Sequence, residues 1–253
     1  MTTQPARYIL GTLAVPLLLM TPRFAGAQTA AASTASPPPP HEGSAEFAFV
    51  GTTGNSSTES IGLGGELIDR PGPWELSAKV AYVRNESESE LKAESISLTT
   101  KAARALTMRL ATFGRYVYLH DRFAGIEGRN GVEGGLAYVL VDAAPHKLTV
   151  DGGVGYAHES RVSAPDLSTP TLPTGALYTF KLSETADISD DARFVFSLSQ
   201  GDDWRFANVA SVTAKLTTLL ALKLSNTVRF VNAPVPGFQK TDTITAIALV
   251  AKF

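Results

Sequence analysis

From Ser44 to Phe253 the sequence is built of segments about ten residues long in which apolar residues recur at every second position. Alternate side chains of a strand point to opposite faces, so this period of two writes one apolar and one mixed face into each segment. In 74–83, Trp74, Leu76, Ala78, Val80 and Tyr82 oppose Glu75, Ser77 and Lys79. In 130–141, Val132, Leu136, Tyr138 and Leu140 oppose Arg129, Glu133 and Ala137. In 146–157, Leu148, Val150, Val154 and Tyr156 oppose Thr149 and Asp151, and in 222–231, Leu222, Leu224, Val228 and Phe230 oppose Lys223, Ser225, Thr227 and Arg229. Phe194, Phe196 and Leu198 oppose Arg193 and Ser197, and weaker segments fall near 44–52, 58–68, 92–104, 107–119, 174–183, 208–218 and 242–253. No window from Ser44 onward reaches the roughly 18–20 apolar residues of a spanning helix. The pattern predicts an all-β chain of about twelve strands, an even number, as a transmembrane antiparallel β-barrel requires.

The connectors add a second constraint. Short ones at 69–73, 105–106, 142–145, 184–185 and 217–219 alternate with longer or more polar ones at 53–57, 85–91, 120–128, 159–173, 200–203 and 232–240. Barrels of this type have short periplasmic turns and longer extracellular loops, and the alternation places both ends of the barrel in the periplasm. A soluble periplasmic β-sandwich, the competing architecture, has no reason to alternate in this way.

The N-terminus agrees with such a destination. Arg7, the apolar run 8–20 and the small residues Ala25-Gly26-Ala27 have the layout of a secretory signal peptide over 1–27. Residues 28–43, rich in Ala and Ser with Pro37 to Pro40, read as an extended periplasmic linker, and 44–253 as the barrel. Loss of Arg7 and Arg23 with the leader makes the mature chain two charges more negative than the formal −2 of the whole, which argues against a nucleic-acid partner. The chain has no cysteine, so neither disulfides nor thiolate metal sites arise.

The apolar faces carry Tyr, Trp and Phe towards segment ends, as interfacial girdles do. The opposite faces carry Glu66, Glu75, Lys79, Lys101, Arg109, Arg115, Glu133, Asp151, Lys181, Arg193, Lys215, Lys223 and Arg229. Each would cost several kcal/mol in hydrocarbon but can pair in a hydrated lumen. Basic residues outnumber acidic ones in this set, so an open lumen is expected to favour anions mildly, with Arg115, Lys223 and Arg229 as leading selectivity residues. Glycines at 62–65, 131–135 and 152–155 allow the bends of a closed, coiled sheet.

The chain ends on an aromatic. Ile247, Leu249, Ala251 and Phe253 share one face, and this ending resembles the terminal assembly signal of outer-membrane barrels, which implies the outer-membrane assembly machinery as a partner. Together with Gly54-Asn55-Ser56-Ser57-Thr58, Asp121-Arg122-Phe123-Ala124-Gly125-Ile126, Gly152-Gly153-Val154-Gly155-Tyr156 and the run from Lys240-Thr241-Asp242-Thr243 to Lys252-Phe253, it is similar to the salt-induced outer-membrane proteins of the YdiY type. The resemblance covers roughly Ser44 to Phe253. It implies an outer-membrane barrel of uncharacterised function in a Gram-negative bacterium and supplies no catalytic residue. The Pro-rich linker and the 159–173 connector depart from the family pattern.

Three groups invite chemistry. His158 and Ser160 share a lipid-facing side, and a His-x-Ser pair there resembles outer-membrane lipid A deacylases, in which His activates Ser. No carboxylate in the sequence is marked to orient the ring, and polar residues are ordinary where a strand meets a loop. His120-Asp121-Arg122 offers too few ligands for a metal, and an Asp121–Arg122 pair ordering the loop accounts for it. The acids of 85–90 and Asp202-Asp203 suit divalent cations bridging lipopolysaccharide, or simply a solvated loop. The leading expectation is a narrow passive channel or envelope-integrity protein with a charged lumen, surrounded by outer-membrane lipid and lipopolysaccharide, with no cofactor and no metal. A lipid-modifying hydrolase built on His158 and Ser160 is the alternative.

Overall fold

The computed structural model describes residues 38–53, 58–87 and 90–253. The expected leader and most of the expected linker lie outside the described residues, as do Gly54 to Ser57 and the side chains of the acidic run 85–90.

Twelve strands form one antiparallel sheet: β1 (His41–Thr53), β2 (Thr58–Asp69), β3 (Trp74–Ser87), β4 (Glu90–Ala105), β5 (Leu110–Asp121), β6 (Ile126–Ala143), β7 (His146–Arg161), β8 (Leu167–Lys181), β9 (Ala186–Ser197), β10 (Trp204–Lys215), β11 (Leu220–Val231) and β12 (Thr241–Lys252). Each strand pairs with its neighbours in sequence, and β12 pairs with β1, so the sheet closes on itself. Closure removes the unpaired edges that a spanning sheet cannot leave in lipid. The expected architecture is therefore the observed one. The soluble sandwich is not, because among the described residues the strands form a single closed sheet whose apolar face is exposed.

Carrying the register once round the wall displaces it by roughly 16 residues, which tilts twelve strands by about 45°. A strand of 12 residues such as β11 then rises about 28 Å along the axis, enough for an apolar band about 25 Å tall.

The faces are inverted relative to a soluble protein. The adjacent residues Val132 and Glu133 are 63% and 8% exposed. Leu63, Leu67, Leu76, Val80, Leu136, Val154, Leu222, Leu224, Ile247 and Leu249 all face outward and exposed. Trp74 opens β3 at the turn end of the barrel, while Trp204 opens β10 at the other end with its ring 4.8 Å from Phe230, so aromatics mark both rims. The outer wall is not wholly apolar. Asn208 donates to Asp190 at 2.9 Å and Asn226 to Thr245 at 2.9 Å, two cross-strand pairs that meet each other's hydrogen-bonding needs on β9 to β12.

Turns at 70–73, 106–109, 144–145, 182–185 and 216–219 lie at the end shared with His41 and Phe253. The connections at the other end culminate in 232–240. Several boundaries differ from the sequence reading by a few residues, and two differ in kind. β1 begins at His41, so the last residues assigned to the linker are strand. The connector expected over 159–173 is mostly wall, because β7 runs to Arg161 and β8 starts at Leu167. Pro170 and Pro173 sit within β8; Pro173 is fully buried and falls where the register passes from Gly152–Thr174 to Gly155–Thr171 without pairing Gly153 and Val154. A missing N–H is harmless there.

The seam between β12 and β1 ends in a reciprocal pair: Gly43 N–H donates to the Phe253 carbonyl at 2.8 Å and Phe253 N–H to the Gly43 carbonyl at 2.9 Å. A Cβ on Gly43 would lie 2.2 Å from the Phe253 ring, so the ring occupies the volume a side chain would take. Gly43→Leu is expected to displace the ring and lower several-fold the yield of barrel refolded in detergent, where no assembly signal is needed, with recovery when Phe253→Ala is added. The heat-modifiable gel band measures it, and an undiminished band would show that this contact is dispensable.

Candidate functional site

The strand parity that turns Leu and Val outward turns a set of charged side chains into the lumen, where they tie distant strands together. At mid-height Arg115 on β5 donates to Glu133 on β6 at 3.2 Å, and Arg193 on β9 donates to the same carboxylate. Asp151 on β7 lies 3.5 Å from Arg115 and 3.6 Å from Arg193. Its carboxylate fits because residue 175 on β8 is glycine: a Cβ there would stand 2.7 Å from Asp151 Oδ2. Lys101 on β4 and Arg115 both lie over the Phe113 ring, at 5.3 and 4.8 Å. Lys223 on β11 closes a separate tie to Glu46 on β1 at 3.0 Å.

Towards the loop end, Glu159 on β7, only 1% exposed, gathers three guanidinium groups. Arg129 donates to it at 2.8 Å, Arg161 at 2.7 Å, and Arg205 through two bonds at 2.7 and 3.1 Å. Arg205 also faces the buried Asp203 at 3.4 Å. Beside this knot Arg229 on β11 donates to Asp121 on β5 at 2.6 Å, joining opposite sides of the ring. Ion pairs of this kind persist away from bulk water only with complementary hydrogen bonds, which the bidentate and shared arginines supply to Glu133, Glu159 and Asp121.

The sequence-derived lumen set is mostly in place. Lys79 faces Glu66 across β2–β3, Lys181 faces Asp187 across β8–β9, and Lys215 ends β10 at the turn-end rim. Arg109 is a correction: it lies in the 106–109 turn, its amide bonded to the Thr107 hydroxyl at 3.2 Å. The expected basic excess narrows for the lumen as a whole, because Glu46, Asp121, Glu159, Asp187 and Asp191 share the inward face with Arg129, Arg161 and Arg205. It holds locally. Lys101, Arg115 and Arg193 outnumber Glu133 and Asp151, and Arg129, Arg161 and Arg205 outnumber Glu159 and Asp203.

Parity alone would have found Glu159, which continues the face of Ala157, and Asp121, which continues that of Arg115. The turn at 122–125 is ordered by Asp121 accepting the Phe123 amide at 3.0 Å while it holds Arg229, so the expected Asp121–Arg122 partnership is replaced by Asp121–Arg229. Asp203 turns inward to Arg205 and is buried, which removes it from any outer cation site. Among the described residues no group of three or more His, Asp or Glu could hold a metal.

His158 and Ser160 do project from the outer wall, but not as partners. His158 Nδ1 is 2.8 Å from the hydroxyl of Ser168, its cross-strand neighbour, and Ser160 donates to Asp166 at 3.2 Å. Asp166 stands 3.9 Å from His158 Nε2, too far to orient the ring, and both side chains are about half exposed. A nucleophile needs its base within hydrogen-bond reach and that base held by a third group. The hydroxyl in reach here belongs to Ser168, and the carboxylate is bonded to Ser160. The arrangement satisfies a polar strand end.

A closed barrel that is apolar outside and charged inside is the architecture of a transmembrane β-barrel. The chain belongs to the family described as protein of unknown function DUF481, whose profile matches residues 45–253. The resemblance to an uncharacterised barrel family read from the sequence is thereby borne out. No curated protein matches the sequence. Among solved structures the chain is similar to the NanC porin, with a TM-score of 0.57, 8% identity, and coverage of 83% of this chain and 100% of that one. It also overlaps the KdgM porin, at TM-score 0.44 and 10% identity over 83% of this chain and 99% of that one. A third overlap is with the translocator domain of the autotransporter NalP from Neisseria meningitidis, at 0.46 and 15% over 86% and 90%. Of these three, the NanC overlap alone supports an argument, and at 8% identity that argument is about fold.

Proposed function

We propose that this chain is an outer-membrane barrel forming a narrow passive channel, with its short turns and both barrel ends in the periplasm and its longer loops outside. The observation that carries this reading is the inversion of faces: leucines and valines outward, and inside a set of ion pairs between strands that are not neighbours. A lumen meant only to fill space would be packed with apolar side chains, as small barrels allow. The inward Leu177 is 45% exposed, so solvent reaches the turn-end half of the lumen. The similarity to the NanC porin supports the fold half of the argument, and the C-terminal seam at Phe253 supports insertion through the outer-membrane assembly machinery.

At the mid-height layer and at the Glu159 knot, one more cation than carboxylate is present, which favours small anions weakly. Refolded protein in a planar bilayer under a potassium chloride gradient is expected to show discrete current steps with a reversal potential displaced towards that of chloride. Arg193→Gln is expected to reduce the displacement. A reversal potential towards potassium, unmoved by Arg193→Gln, would overturn the proposed selectivity.

A further inference from the structure

At the loop end of the barrel two segments of the chain meet across the lumen. The turn at 122–125 bends inward after Asp121, with Gly125 at φ +69° and with Phe123 and Ile126 buried. From the opposite side of the ring the 232–240 loop reaches across to meet it. Val235 is buried, and the Phe238 ring fills the space of the absent Gly125 side chain, since a Cβ there would be 2.4 Å from the ring. A side chain at 125 would be strained as well as obstructed, so the glycine suits both the turn and the ring.

The two parts of this loop are held differently. Its base is hydrogen-bonded: Val231 N–H donates to the Lys240 carbonyl at 2.8 Å, Asn232 N–H to the Trp204 carbonyl at 3.0 Å, and the Asn232 side chain to the Asp202 carbonyl at 2.9 Å. Its tip meets the facing turn through an aromatic ring. Pro234 and Pro236 stiffen the tip, Phe238 N–H closes a turn onto the Val235 carbonyl at 3.0 Å, and Gly237 at φ +93° sits next to the ring. Apolar contact is non-directional and can be made and broken without stranding a buried polar group, whereas the base cannot release cheaply. Below the ring, the Arg229–Asp121 pair holds the stems of both segments at a fixed distance across the lumen.

We propose that the 232–240 loop is the gate of the channel, with Phe238 as its latch on Gly125 and the hydrogen-bonded base as its hinge. This rests on the channel reading above. The gate controls the loop-end mouth, while the charged layers below it set which ions pass.

Single-channel recording on wild type, Phe238→Ala, and a variant with 233–239 replaced by a short turn tests this, each first shown to be folded by its heat-modifiable gel band. Phe238→Ala is expected to raise the open fraction roughly tenfold, the factor from releasing one partly buried aromatic ring. The shortened variant is expected to stay open. Equal open fractions in all three proteins would overturn the gate and leave the channel standing. Silence of the folded, shortened variant would overturn both.

Discussion

Replacing Glu159 by Gln is expected to destabilise the barrel by about 3–5 kcal/mol, the usual cost of removing one partner from a buried ionic cluster. The carboxylate is 1% exposed and receives bonds from Arg129, Arg161 and Arg205, so its neutralisation leaves three guanidinium groups facing one another around an amide. An amide oxygen accepts some of those bonds but supplies no counter-charge, and its NH2 group adds donors where there is already an excess. The urea midpoint in detergent micelles, or the temperature at which the compact gel band disappears, measures the loss. Adding Arg205→Met should recover part of it, because the double variant removes one cation together with the anion, and neighbouring members of one network do not add. A loss below about 1 kcal/mol would mean that water reaches the cluster and screens it, as at a surface ion pair.

That the knot was not legible in the sequence has a definite cause. The period of two was followed along β7 to Tyr156 and stopped where His158-Glu159-Ser160 breaks the apolar series. Polarity on the outward face reads as the end of a strand, although β7 runs on to Arg161. On a spanning barrel the outward face becomes polar above the lipid while the strand continues, so an apolar series marks the band, not the strand. The same error made 159–173 a loop, reinforced by Pro170 and Pro173, which read as strand breakers. Arg109 failed in the opposite direction, since its parity was carried past Leu110 into a turn. Strand number, order of connection lengths and wall orientation were legible because they rest on many residues at once. The partners of each lumen charge were not, because Arg229 meets Asp121 across the full ring, and no local period encodes a contact between β5 and β11.

Gly153→Ala is expected to be, with Gly135→Ala, among the most damaging single-methyl additions to the wall. β6 and β7 approach so closely at mid-strand that a Cβ on Gly153 would lie 2.2 Å from the Gly134 carbonyl oxygen, and one on Gly135 2.2 Å from that of Gly152. Both obstructions are backbone, which cannot rotate away, so one strand has to shift. It has nowhere to go freely. β7 is held to β6 on both sides of this point by the pairs Gly155–Glu133 and Gly152–Leu136, while on its other side the pairing to β8 lapses opposite Leu172 and the buried Pro173. Moving β7 away from β6 would press it on Pro173 and drive Asp151 against Gly175. The expected cost is at or above the ~3 kcal/mol that overpacking usually reaches, enough to deplete the folded band. Gly114→Ala is the internal control. Gly114 lies on β5 with nothing within 4 Å of its added Cβ, and alanine there is expected to be neutral or to stabilise by up to about 1 kcal/mol through the unfolded chain. Equal yields of folded barrel from the two variants would show that the β6–β7 approach relaxes without consequence. A loss confined to Gly153→Ala would make the close approach a requirement for closing the wall.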